Sequence, residues 1–153
     1  MKTRIPPPLI MLLAALLMWL LHRWMPLAQL IVSPWSRVGW LFAAIGIGIA
    51  MGAFNRFKRA RTTVNPREPH TASSLVTGGV FHISRNPMYL GLLLILIGWA
   101  LDLGTASPWI VPPVFVIVVT VLQIIPEEQA LEKLFGEPYV EYKRRVARWI
   151  GRR

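Results

Sequence analysis

Two short polar runs sit at the edges of apolar blocks, where a side chain able to do chemistry has a protected place to do it. One is Ser84-Arg85-Asn86-Pro87-Met88-Tyr89-Leu90-Gly91; the other is Glu127-Glu128, directly after Pro126. Pro87 suits the first position of a helix, where its missing N–H has no partner to lose. Asn86 or Ser84 can cap that helix. The open N–H groups of its first turn, those of Met88 and Tyr89 among them, attract a carboxylate or phosphate. Tyr89 offers a ring face to a cation, and Gly91 leaves room for close approach. The Glu127-Glu128 doublet is a ready partner for an ammonium group. Plain structural roles fit as well: Arg85 on lipid phosphate, Tyr89 in an aromatic belt, the doublet paired with Arg85 or Lys133.

These runs form one site only if the elements around them bring them together. The chain has apolar blocks rather than helix- or strand-period alternation, which points to lipid as the solvent. Four spans are expected, at about 5–24, 38–54, 87–103 and 108–125. Lys2 and Arg4 before the first block resemble a signal peptide, but no small-residue cleavage site follows, so an uncleaved span is expected. Gly39, Gly46, Gly48 and Gly52 in the second span let another helix approach closely. The third span, at about 26 Å, is slightly short of the hydrocarbon core. A tight turn over 102–107 makes spans three and four an antiparallel hairpin, so the start of one neighbours the end of the other. Pro112 and Pro113 are expected to bend the fourth span.

Between spans two and three, 55–70 reads as a polar loop with five basic residues and two prolines. The stretch 71–85, broken at Gly78-Gly79, is expected at the interface or dipping inward. Irregular backbone is tolerated at that depth only where protein buries it or it lines a cavity. After Pro126 a helical, amphipathic tail is expected, with a break at Gly136 and Pro138. There Tyr139, Tyr142, Val146 and Trp149 recur at helical spacing opposite Lys143, Arg144, Arg145 and Arg148, a basic helix suited to a membrane surface. The whole chain, 1–153, is expected to be one all-α membrane domain.

Charge and composition narrow the partners. Charged residues are 16% of the chain, against about 25% in a typical soluble domain. The net charge of +10 lies between and after apolar blocks, where it meets anionic headgroups. Basic and aromatic residues do not interleave as a nucleic-acid platform, so no nucleic-acid partner is expected. Cysteine is absent, which excludes disulfides, thiolate nucleophiles and zinc–sulfur sites. His22, His70 and His82 are scattered, so no metal is expected. Fifteen Lys and Arg fall on one side of a four-span topology and two on the other. The positive-inside rule then places both termini and the middle loop in the cytoplasm, in a bacterial inner membrane. An anion site, a cation site and an aromatic face suit an amino-acid-like sulfonium ligand such as S-adenosylmethionine; a zwitterionic lipid headgroup fits nearly as well.

From about Thr62 to Trp149 the chain resembles the isoprenylcysteine carboxyl methyltransferase and phospholipid N-methyltransferase superfamily of membrane enzymes. The resemblance is carried by Leu75-Val76-Thr77-Gly78-Gly79-Val80-Phe81, Arg85-Asn86-Pro87-Met88-Tyr89-Leu90-Gly91, and Glu127-Glu128 with Leu131, Phe135-Gly136, Tyr139 and Tyr142. It implies S-adenosylmethionine as cofactor, held by Leu75, Val76, Phe81, Asn86, Pro87, Met88, Tyr89, Glu127 and Glu128, and a lipophilic or lipid acceptor near Arg85 and Gln123. The family often has His where this chain has Asn86, which removes an acid–base role there. The eukaryotic prenylcysteine enzymes carry Arg at the place of Gln123, which argues against a prenylcysteine carboxylate as acceptor. Two other readings compete: an NADPH-dependent membrane reductase with a similar helical arrangement, and a non-enzymatic scaffold or lipid-binding protein.

Overall fold

The computed structural model describes residues 5–60 and 74–152. Residues 61–70 of the expected polar loop and 71–73 of the interfacial segment lie outside the described residues. The chain is all-α: α1 (Pro7–Trp24), α2 (Val38–Arg59), α3 (Pro87–Leu103), α4 (Val111–Val119), α5 (Ile125–Phe135) and α6 (Glu137–Arg145). α3 takes the bounds its sequence predicts. Pro87 opens it and Gly104, at φ 72°, closes it in the left-handed conformation that glycine adopts without strain.

Three differences from the sequence reading have physical causes. Residues 55–59, expected in the loop, continue α2 as helix. No Pro or Gly interrupts them, and Arg56, Lys58 and Arg59 in the last turn favour the helix C-terminus. The fourth span and the helical tail expected after Pro126 are not separate elements. A 3₁₀ turn (Ser107–Ile110), α4, a π turn (Thr120–Ile124) and α5 make one helical rod of 29 residues. Pro126 lacks an N–H and would crowd the Leu122 carbonyl in a regular helix. The π turn just before it, where the Ile125 N–H donates to the Thr120 carbonyl, widens the path and lets the rod continue. Third, α6 ends at Arg145, and the chain turns back at Val146 instead of carrying the helix to Trp149.

The helices alternate in direction. A Cβ on Gly39 would fall on the Gly98 carbonyl oxygen, and one on Gly46 on the Gly91 carbonyl oxygen. Early α2 therefore meets late α3 and late α2 meets early α3, backbone on backbone at the small residues. Gly52 faces Val80, while Gly48 has open space around it. α1 runs against the long rod in the same antiparallel way. The Gln123 amide donates to the Ile5 carbonyl (2.7 Å) at one end, and the Ser107 hydroxyl to the Leu21 carbonyl (3.2 Å) at the other. α3 is central, with Leu96 and Ala100 wholly buried against Met18, Phe115 and Val119. Large apolar side chains such as Leu12, Trp40, Leu41, Ile117 and Val121 face outward instead, as they do toward lipid.

Among the described residues three helical stretches are long and apolar enough to cross a membrane: Pro7–Trp24, Trp35–Arg59 and Ser107–Phe135. α3 is apolar too but has 17 residues. The protein is an integral membrane protein.

Candidate functional site

The starts of α1 and α3 and the ends of α2 and α4 share one end of the bundle, and the two polar runs meet there. The Tyr89 hydroxyl donates to Glu127 Oε1 at 2.7 Å. Tyr89 is buried and Glu127 half-buried, so this bond joins the first turn of α3 to the first turn of α5 across the hairpin. The juxtaposition expected from sequence is present.

The two carboxylates of the doublet have separate surroundings. Adjacent positions on a helix point about 100° apart, and Glu128 points inward, 5% exposed. Arg148 grips it with Nε at 3.2 Å from both oxygens and Nη2 at 2.7 Å from Oε2. Arg85 Nη1 lies 3.2 Å from Oε1, within ion-pair reach but not aligned as a hydrogen bond, and Arg85 Nε and Nη1 are both buried without a hydrogen-bond partner among the described residues. Glu128, expected beside the cofactor, thus serves as the counterion of two guanidiniums. Arg85, expected near the acceptor, is buried on that carboxylate.

The turn before α3 is held by the C-terminal segment. The Asn86 amide donates to the Arg148 carbonyl (3.1 Å) and the Ser84 hydroxyl to the same oxygen (3.3 Å). The Arg85 N–H donates to Ala147, and the Gly151 N–H to Ile83. Asn86 occupies the N-cap position, but neither its side chain nor that of Ser84 caps the helix; instead the Ser84 hydroxyl accepts the Asn86 N–H at 3.0 Å. Pro87 is fully buried at the first helical position.

An apolar wall stands beside this turn. Phe81, Ala53, Tyr139, Tyr142 and Val146 form a buried cluster, with Leu75, Val76, Val80 and Met88 packed on it. The tail residues expected on lipid are therefore inside the protein, because α6 folds under the 75–83 segment. There the Tyr142 hydroxyl donates to the Phe81 carbonyl at 2.7 Å. Burial raises the Tyr139 phenol well above its ordinary range, and the Glu128 charge adds to the rise. Burial likewise raises Tyr142, against the opposing pull of Arg85. Gln123, in the π turn one turn before Glu127, is buried; its amide nitrogen is spent on Ile5 and its Oε1 has no partner among the described residues.

Leu75, Val76, Phe81, Asn86, Pro87, Met88, Tyr89 and Glu127 are thus gathered at one end. Sequence reasoning missed Arg148, which lies 20 residues from Glu128. No local spacing connects the two; only a basic residue near the end of a folded-back tail offered a hint.

Residues 35–138, which include both polar runs, match the family described as phospholipid methyltransferase. An uncharacterized protein of Haemophilus influenzae (strain ATCC 51907 / DSM 11121 / KW20 / Rd) is 46% identical over 63 residues, 41% of this chain and all of that protein. No solved structure matches. With more than half its length matched and both runs meeting at one end of an apolar bundle, the chain belongs to the phospholipid methyltransferase family and is a membrane methyltransferase.

Proposed function

We propose that the chain transfers a methyl group from S-adenosylmethionine to a lipophilic or amphiphilic acceptor, methylating a carboxylate oxygen or an amine nitrogen. The observation that carries this reading is the 2.7 Å bond between Tyr89 and Glu127, which sets a carboxylate beside a helix start whose first turn has no side-chain cap. The residues fit the group. Glu127 takes its ammonium, the first turn of α3 its carboxylate, and Leu75, Val76 and Phe81 its apolar surface. Glu128 is already neutralised by Arg85 and Arg148, so its charge is held within the fold.

When bound, S-adenosylmethionine supplies an electrophilic methyl on a sulfonium whose charge disappears on transfer. Water stabilises such a charged reactant more than a dispersed transition state, so the apolar wall favours reaction by keeping water out. The chain's other contribution is alignment: α3 and α5, fastened through Tyr89 and Glu127, hold acceptor and methyl in line. Asn86 has no titrating group and moves no proton. A carboxylate acceptor needs no base; an amine acceptor reacts only in its unprotonated form.

We place all four antiparallel helices across a bacterial inner membrane, with α3 as the short third span and the chain as a single domain. The site end carries the arginine-rich connections, so both termini and the middle loop are cytoplasmic on the positive-inside rule. Calorimetry on the purified chain in detergent tests the function. Micromolar binding of S-adenosylmethionine and S-adenosylhomocysteine, lost in Glu127→Ala, is expected; binding of NADPH alone, or of none of the three, refutes it. Labelled-methyl transfer into a membrane lipid extract then identifies the acceptor.

A further inference from the structure

The last turn of α2 carries an arginine that belongs to neither polar run. Gly52, Ala53, Arg56 and Phe57 share one face of α2 at helical spacing, and that face lies along the 78–81 segment. Gly52 faces Val80, Ala53 is buried with Phe81, and the Phe57 ring meets the Phe81 ring edge-on, with centroids 5.2 Å apart and planes at 78°. Arg56 covers Gly78 and Gly79. A Cβ on Gly79 would lie 2.7 Å from Arg56 Nε, 3.0 Å from Nη2 and 3.1 Å from Cζ. Three atoms of one plane at nearly equal distance from one point place the guanidinium face-down there. A Cβ on Gly78 would meet Nη1 at 3.3 Å. The arginine fills the space that two missing side chains leave.

Charge does not explain this placement. Arg56 is exposed and among the described residues forms no ion pair. The negative end of α2 would favour the cation equally well if the side chain extended into water. The segment beneath it does need support. It is a four-residue 3₁₀ turn, Gly79–His82, with no side-chain cap, too short to hold its own shape. Gly79 stands at φ 67°, and two successive glycines have more backbone freedom to lose than any other pair. Phe81 is fixed by the Tyr142 hydroxyl and by Phe57. At Gly78 the contact within 4 Å of the Cβ position is Arg56 alone among the described residues.

We propose that Arg56 is a positioning residue for the methyltransferase site: its guanidinium plane, laid across Gly78-Gly79, sets the backbone that presents Leu75, Val76 and Phe81 to the cofactor. This rests on the cofactor reading given above. The plane matters rather than the charge, because only a flat group covers two adjacent glycines without prising them from the bundle. The anchor for that plane is rigid. α2 is locked to α3 where Gly39 meets Gly98 and Gly46 meets Gly91, so Arg56 ties the turn to the same helix that carries Tyr89.

Calorimetry with S-adenosylhomocysteine on the full chain in detergent, paired with thermal unfolding, is the test. Arg56→Ala is expected to raise Kd about tenfold, the result if the competent backbone falls to about a tenth of the population. The unfolding midpoint should move by no more than about 2 °C, as for an exposed side chain. Arg56→Lys keeps the charge without the plane and is expected to bind as weakly as Arg56→Ala. Gly79→Ala should weaken binding more in the unaltered chain than in Arg56→Ala. The strain of a Cβ at φ 67° is common to both backgrounds and cancels, leaving the clash with the guanidinium. Unchanged affinity in Arg56→Ala, full affinity in Arg56→Lys, or an equal effect of Gly79→Ala in both backgrounds overturns the inference while the methyltransferase reading stands. A midpoint drop as large as that of Glu128→Ala also overturns it, since Arg56 would then serve stability alone. If the unaltered chain does not bind, the methyltransferase reading falls and this inference with it. If Gly79→Ala does not fold, the two Arg56 variants decide.

Discussion

Replacing Glu128 by alanine strands Arg85, whose side chain is 3% exposed and has no other carboxylate within ion-pair reach among the described residues. Removing one partner of a buried ion pair costs about 3–5 kcal/mol, most of it the penalty of the charge left behind. Arg148→Ala is a different perturbation. Its side chain is 36% exposed, so water already screens part of its attraction, and its removal leaves Arg85 and Glu128 as a one-to-one pair. Losing its charge-assisted bonds, discounted for that exposure, is worth about 1–2 kcal/mol. Thermal unfolding in detergent, followed by circular dichroism, should show a midpoint drop of roughly 10 °C for Glu128→Ala and roughly 3–5 °C for Arg148→Ala. Glu127→Ala should cost less stability than Glu128→Ala yet be the one that abolishes cofactor binding. If Glu128→Ala unfolds no earlier than Arg148→Ala, or if Glu127→Ala is the most destabilising of the three, the division of labour drawn here for the acidic doublet is wrong.

Tyr142→Phe removes the donor to the buried Phe81 carbonyl and should cost about 1–3 kcal/mol, seen as faster proteolysis of the 75–83 segment. The phenols of Tyr139 and Tyr142 are raised by burial, so folded protein holds these protons above the ordinary value of about 10 while unfolded chain releases them. Their contribution is complete below that value and is lost as pH rises beyond it; a titration of phenolate absorbance that shows both ionising near 10 in folded protein would contradict the packing. Gly98→Ala drives a Cβ onto the Gly39 carbonyl and should cost about 3 kcal/mol or more. Gly48→Ala meets nothing and should raise stability by about 0.5–1 kcal/mol; both are read from thermal midpoints in the same detergent.

The apolar blocks, their prolines and their glycines determined by themselves that this is an all-helical membrane chain. They also set α3 from Pro87 to Leu103, because a run of apolar side chains must be buried in lipid or protein and Pro and Gly act on the backbone locally. The pairing of the Asn-Pro-Met-Tyr turn with the acidic doublet was legible too, since a short connection forces two helices to run back along each other. Where the sequence reading failed, the deciding partner was far away in the chain. Pro126 looked like the junction of two helices because the π turn that carries one helix through it leaves no mark in residue type. Tyr139, Tyr142 and Val146 looked like a lipid-facing stripe because an apolar face does not say whether lipid or protein will cover it. That Glu128 is paired with two guanidiniums was decided only by the tertiary fold. It depends on a tail that turns back at Val146 and brings Arg148 to Glu128, and a contact across 20 residues without helical period exists only once the chain has closed on itself.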